Sequence, residues 1–147
     1  MIRNVEHIGI AVRSIEEARG FYESLGLAID HIEEVPEEGV RVAFVPCGAT
    51  RLELLEPTRP DSPVAKFLEK RGPGIHHLCL ESDAIDEDDA QLRRSGMELL
   101  RQRPTIGAGG ARVQFVHPKS SGGILLELSQ PREEPAHASK GEGRGGG

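Results

Sequence analysis

The sequence predicts an α+β fold made of two βαβββ modules in tandem, and three observations carry the prediction. A short pattern occurs twice, as Glu6-His7-Ile8-Gly9-Ile10-Ala11-Val12 near the start and His76-His77-Leu78-Cys79-Leu80-Glu81 in mid-chain, with His7 and His77 70 residues apart. The segments Ser14 to Gly26 and Ala84 to Gly96 keep that offset, so that Ile15 falls on Ile85, Glu17 on Glu87 and Gly26 on Gly96. Farther on, Arg41-Val42-Ala43-Phe44-Val45 matches Arg112-Val113-Gln114-Phe115-Val116 at an offset of 71, and Glu53 matches Glu127 at 74. An offset that grows along the chain is what small loop insertions produce in a duplicated unit.

The first module, about 5–57, opens with a strand from Glu6 to Val12 in which Ile8, Ile10 and Val12 share one face and His7, Gly9 and Ala11 the other. Ser14 with Glu17 is a capping box, and Ile15, Ala18, Tyr22 and Leu25 line one side of a helix that Gly26 ends. Strands follow at Leu27 to Glu33, Val40 to Val45 and Arg51 to Leu55. A linker helix, about 61–71, begins in Asp61-Ser62-Pro63-Val64-Ala65-Lys66-Phe67-Leu68, with a polar cap and a proline in its first turn. The second module, about 74–130, repeats the order: strand Ile75 to Leu80, helix Ile85 to Ser95, then strands Met97 to Leu100, Ala111 to His117 and Ile124 to Leu128.

Composition limits what the chain does. Its 147 residues, 37% of them hydrophobic, suit one domain spanning 1–130. A net charge of −6 without a long basic run argues against nucleic acid as a partner and favours small-molecule chemistry. No stretch approaches the roughly 20 apolar residues of a membrane helix, and Met1-Ile2-Arg3-Asn4 leads straight into a strand pattern, so a cytoplasmic protein is expected. Cys47 and Cys79 read as small buried residues, too few for a disulfide framework. From Pro131 to Gly147 the composition has no apolar period, which predicts a disordered tail with His137 solvated.

The histidine face of the first strand opens onto a space kept clear by Gly9 and Ala11. Leu52 with Leu54, and Leu126 with Leu128, take the helix-facing side of their strands, which puts Glu53 and Glu127 on the same inner face as the histidines. A carboxylate among leucines is costly unless a cation neutralises it. If the halves fold alike and face each other, His7, Glu53, His77 and Glu127 can meet on one metal ion. His31, His76 and His117 lack a matching histidine in the other half, and His76 alternates away from His77, so these three are given structural or loop roles, His117 near the site mouth. Gly107-Ala108-Gly109-Gly110 precedes a strand instead of a helix, so it reads as a hairpin connection and not a phosphate loop.

From about Val5 to Gln130 the chain resembles the vicinal oxygen chelate superfamily, whose paired modules form an open, cup-shaped mixed sheet around a metal. Within it, the chain resembles the methylmalonyl-CoA epimerase family through His7-Ile8-Gly9-Ile10-Ala11-Val12, Leu52-Glu53-Leu54-Leu55-Glu56-Pro57-Thr58, the linker helix, Gly74-Ile75-His76-His77-Leu78 and His117-Pro118-Lys119-Ser120-Ser121-Gly122-Gly123. The resemblance implies an isomerase that interconverts the epimers of methylmalonyl-CoA by removing a proton and returning one to the opposite face through a metal-stabilised enolate. It also implies a divalent ion at His7, Glu53, His77 and Glu127, cobalt foremost, with manganese, zinc, nickel and magnesium as alternatives. A small-molecule acyl-CoA partner and a homodimer are implied as well. Some relatives carry a glutamate base where this chain has Val42, a residue that moves no proton. Glu127 is then expected to be one base while serving as a ligand, and Glu53, or a metal-bound water, the other. Lys119, Ser120 and Gly122 are candidates for holding the substrate, Lys119 being equally readable as a solvated turn residue. Rival readings on the same fold are a glyoxalase I-type enzyme acting on a glutathione hemithioacetal, an extradiol dioxygenase, and a metal-free binding protein of the bleomycin-resistance type.

Overall fold

The computed structural model describes residues 1–133. The tail expected to be disordered lies almost wholly in residues 134–147, outside the described part. Two βαβββ modules follow one another. The first holds β1 (Ile2–Ala11), α1 (Ile15–Ser24), β2 (His31–Val35), β3 (Val40–Cys47) and β4 (Thr50–Pro57), and the second holds β5 (Gly74–Ser82), α3 (Ile85–Arg94), β6 (Thr105–Ile106), β7 (Arg112–Val116) and β8 (Leu126–Gln130). The linker α2 (Pro63–Arg71) joins them. All eight strands form one open, curled mixed sheet in the order β2-β3-β4-β1-β5-β8-β7-β6, with β1 and β5 antiparallel at the seam and parallel pairs β1–β4 and β5–β8 on either side.

The duplication holds down to single pairings. Glu53 lies opposite Phe44 and beside Gly9, and Glu127 lies opposite Phe115 and beside Cys79. The first backbone N–H of each module's helix is met by a side chain from the end of that module's last strand: Ile15 donates to Glu56 Oε1 at 3.0 Å, and Ile85 to Gln130 Oε1 at 2.9 Å. Ser14 Oγ accepts from Glu17 N at 3.3 Å, as the capping box requires. In α2, Ser62 Oγ accepts from Ala65 N at 3.0 Å, Pro63 fits the first turn, and Gly72 with φ 71° ends the helix.

The two faces of the first module carry separate cores. Against α1 pack Val12, Ala43, Val45 and Leu54, with Ile15, Ala18 and Tyr22 from the helix. On the concave face Ala11, Val42, Phe44 and Leu55 lie under Val64 and Leu68 of α2. Burying one such leucine is worth about 1.5–3 kcal/mol. In the second module, the position of Ala43 is taken by Gln114, fully buried and donating to Asp89 Oδ2 at 2.7 Å.

Several strand boundaries differ from the sequence reading: β1 starts earlier, at Ile2, and β8 is shifted to Leu126–Gln130. The second strand starts at His31, because Leu27 and Ile29 turn inward to pack behind α1 before pairing begins. The strand expected at Met97 to Leu100 shrinks to one bridge between Leu99 and Val116, and pairing resumes only at Thr105. The ladder holds around that bridge, Leu100 N donating to Phe115 O and His117 N to Glu98 O, each at 2.9 Å, and stops where the Arg93 guanidinium takes the carbonyls of Arg101 and Gln102, at 2.6 and 2.8 Å. Pro104 has no N–H to give it. The glycine-rich stretch is a tight hairpin connection, closed by Gly107 N donating to Ala111 O at 2.7 Å.

Candidate metal centre

The seam between the modules builds the site. In the antiparallel β1–β5 pair, Gly9 faces His77 and His7 faces Cys79, so each histidine sits across from the residue two beyond the other. His7 Nε2 and His77 Nε2 point at a common spot 2.9 Å apart, and Glu127 Oε2 lies 3.2 Å from each. All three residues are buried. An octahedral ion with bonds of about 2.1 Å sets neighbouring ligands about 3.0 Å apart, whereas tetrahedral zinc sets them about 3.4 Å apart. The separations of 2.9 and 3.2 Å fall at or between these spacings, so the three donors fit a single divalent ion.

Gly9 is needed for this convergence. A Cβ at that position would stand 2.2 Å from Cε1 of His77 and 2.8 Å from Nε2, so the imidazole occupies the volume a larger residue would fill. In the other module the matching position holds Cys79, fully buried, with burial pushing its thiol up to about 12.

Each ligand histidine is preceded by a β-bulge. Register slips at Val5/His7 and at Gly9/Ile10 leave Glu6 and His76 as the unpaired extra residues of their strands. A bulge overrides alternation, and this corrects the reading that turned His76 away from His77: its Nδ1 lies 2.9 Å from His77 Nδ1. On the other side of the seam, Glu6 contacts His7 Nδ1. Both imidazoles are thus met at Nδ1 while Nε2 is aimed at the centre, the arrangement that fixes a metal-binding histidine. His76 is held well below the usual imidazole range, at about 4, by burial and by the neighbouring His77, against the pull of Glu127.

Glu53 does not join the triangle. Its Oε2 lies 3.0 Å from His7 Nδ1, on the far side of that ring, and accepts from Arg51 Nη2 at 3.0 Å. Arg51 also stands 2.7 Å from Glu6 Oε1 and 5.2 Å from the centre of the Phe44 ring. Of the four expected ligands, the structure brings three together and places the fourth behind one of them. Sequence reasoning missed Glu6, His76, Arg51 and Cys79; the shared offset of 70 between Glu6 and His76 was the one available signal for the first two.

Three carboxylates around two imidazoles give the pocket surplus negative charge. Burial disfavours a charged His7, yet contacts with Cys79, Glu127, Glu53 and Glu6 outweigh it and raise its pKa above the usual value. Burial likewise opposes ionisation of Glu127, but His7 and His77 hold it at about 2. Glu53 is lowered despite burial by His7 and Arg51. Such a site is poised to exchange a proton for a cation.

The remaining candidates lie elsewhere. Val42 is buried beneath α2 on the concave face. The β7–β8 connection holds Lys119, Ser120 and Gly122: Lys119 is 78% exposed, Ser120 Oγ accepts from Glu98 N at 2.8 Å, and Gly122 adopts φ 76°. His117 belongs to the same turn, its Nδ1 accepting from Lys119 N at 3.0 Å. His31, 49% exposed, stacks on Phe44 at 4.3 Å. Among the described residues, no helix is long and apolar enough to cross a membrane.

Comparison with known proteins agrees with this architecture. The human mitochondrial methylmalonyl-CoA epimerase is 42% identical over 128 residues, 86% of this chain and 73% of that protein. A Streptomyces coelicolor methylmalonyl-CoA epimerase variant in complex with 2-nitronate-propionyl-CoA superposes with a TM-score of 0.85 at 37% identity, over 90% of this chain and 100% of that one. A methylmalonyl-CoA epimerase in complex with methylmalonyl-CoA and ammonium gives a TM-score of 0.85 at 38% identity, over 92% of this chain and 100% of that one. The family model described as the glyoxalase/bleomycin resistance protein/dioxygenase superfamily matches residues 6–115, and the chain belongs to that superfamily.

Proposed function

We propose that this protein is a metal-dependent epimerase interconverting (R)- and (S)-methylmalonyl-CoA. The observation that carries the reading is the placement of two carboxylates, Glu53 on β4 and Glu127 on β8, on opposite flanks of the histidine strands β1 and β5. Inversion at carbon needs a proton taken from one face and one returned to the other. The relatives named as methylmalonyl-CoA epimerases, one of them solved with methylmalonyl-CoA, support that substrate.

His7, His77 and Glu127 would hold the ion, with Glu53, which stands behind His7 against Nδ1 and Arg51, as the fourth candidate ligand. A divalent ion bound there supplies Lewis acidity toward the substrate's thioester and carboxylate oxygens. Glu127, kept ionised by the two imidazoles, takes the α-proton, and the electron pair of the broken C–H bond moves into the thioester carbonyl. Glu53, protonated in the form that acts in this direction, gives its proton to the other face of the carbon, and Glu127 keeps the one it took. Turnover in the reverse direction restores both groups. Val42 takes no part. The reading includes cobalt as the ion, a homodimer, a cytoplasmic location, and the Lys119–Gly122 turn as a substrate contact.

The test is exchange of the substrate's α-proton with solvent deuterium. Replacing Glu127 by Gln removes the base, and the exchange rate should fall by at least roughly 10²-fold. Exchange at the wild-type rate would sink the assignment. Parallel assays with racemic methylmalonyl-CoA and with the hemithioacetal of methylglyoxal separate the epimerase from the glyoxalase reading.

A further inference from the structure

The pseudo-symmetry that relates His7 to His77 also relates His31 to Arg101, and the two cationic groups sit in matching places. His31 stacks on Phe44 at 4.3 Å, and the Arg101 guanidinium lies 4.9 Å from the centre of the Phe115 ring. Phe44 and Phe115 are the direct cross-strand partners of Glu53 and Glu127, so both rings share the concave face with the carboxylates. The charge balance differs. His31 has Asp30 at 2.8 Å and Glu33 at 3.3 Å to neutralise it. The Arg101 guanidinium has one carboxylate within 4 Å among the described residues, Glu38 at 3.9 Å, and its one hydrogen bond there is to Thr105 Oγ1.

The second module spends buried polar groups to hold Arg101 in this place. Its carbonyl accepts from Gln114 Nε2 at 2.9 Å and from Arg93 Nη2 at 2.6 Å, and Asp89 ties both donors together, at 2.7 Å to Gln114 and 2.8 Å to Arg93 Nε. Gln114 is wholly buried where the first module has Ala43 and a purely apolar layer. Burying an amide and a carboxylate is costly, so an apolar side chain would serve the core equally well. What the network adds is a fixed backbone at Arg101.

We infer that Arg101 is a specificity-determining residue that meets an anionic oxygen group of the substrate, its free carboxylate or a phosphate, from the module-two side of the cup. The inference rests on the acyl-CoA reading above. A guanidinium seated on an aromatic ring with donors to spare is suited to such groups.

The experiment compares KM and kcat of the wild type, Arg101→Gln and Arg101→Lys with methylmalonyl-CoA and with methylmalonyl-pantetheine, which lacks the nucleotide phosphates. Arg101→Gln should raise KM for the CoA thioester roughly 10- to 100-fold with kcat near wild type, and Arg101→Lys should recover part of the loss. A penalty kept with the pantetheine thioester identifies the carboxylate as the anion, and a penalty lost with it identifies a phosphate. Unchanged KM in both arms, or a fall in kcat alone, overturns the inference. If the wild type turns over neither thioester, the epimerase reading fails and takes this one with it, an outcome readable before any variant is assayed.

Discussion

Replacing Gly9 by alanine tests the site through one methyl group. The backbone at Gly9 is outside the left-handed region, so alanine fits it without strain, and the whole effect falls on what the methyl meets. It would stand 2.2 Å from Cε1 of His77, where ordinary contact begins at 3.4 Å, so the ring must withdraw by about 1.2 Å. β1 is hydrogen-bonded on both sides, to β4 and to β5, and cannot shift to share the strain. Metal–ligand bonds tolerate only about 0.2 Å, so His77 is lost as a ligand. Metal affinity should fall at least ~100-fold, and epimerase activity with it. The crowding itself costs about 1–3 kcal/mol of stability, which leaves the protein folded. Isothermal titration with Co²⁺ or Mn²⁺, beside far-ultraviolet circular dichroism to verify the fold, gives the answer. A folded Gly9→Ala protein with wild-type metal affinity would refute the convergence of His77 on the centre.

Two further outcomes follow from local chemistry. In the metal-free protein the His7 pKa lies above its ordinary value, so the ring carries a proton at pH 7, while metal binding requires neutral imidazole; loading at pH 7 should therefore release about one proton. Titration heats in two buffers of different ionisation enthalpy measure this release, affinity should weaken as pH falls, and a buffer-independent heat would contradict the charge assignment. Ser62→Ala removes the fully buried cap of α2 and should cost about 1–2 kcal/mol in denaturant unfolding, against about 0.5 kcal/mol for Ser14→Ala, whose bond is longer and exposed. Equal costs at the two caps would show that burial does not set their strength.

Much of this fold was legible because it is written in local periods. Alternation along Glu6 to Val12 put His7, Gly9 and Ala11 on one face, and all three are buried there. The leucines flanking Glu53 marked its strand's outer face, and Leu52 and Leu54 pack against α1. The growing offset between the halves reappears as matched pairings, Phe44 with Glu53 and Phe115 with Glu127. Where the strand expected at Met97 to Leu100 stops was illegible, since the Arg101 carbonyl just beyond it is captured by Arg93 and Gln114 from other elements.

For the site, the sequence by itself determined which strands carry the histidines and carboxylates and which way those strands face, because side-chain direction in a regular strand depends on that strand alone. Only the tertiary structure decided that Glu6 and His76 bulge toward the ring nitrogens, that Glu53 turns to Arg51 and away from the triangle, and that Gly9 vacates room for His77. A bulge is a mismatch between two strands some 70 residues apart, and the rotamer of a buried carboxylate follows the nearest positive charge. Both are properties of partners, which no single segment encodes.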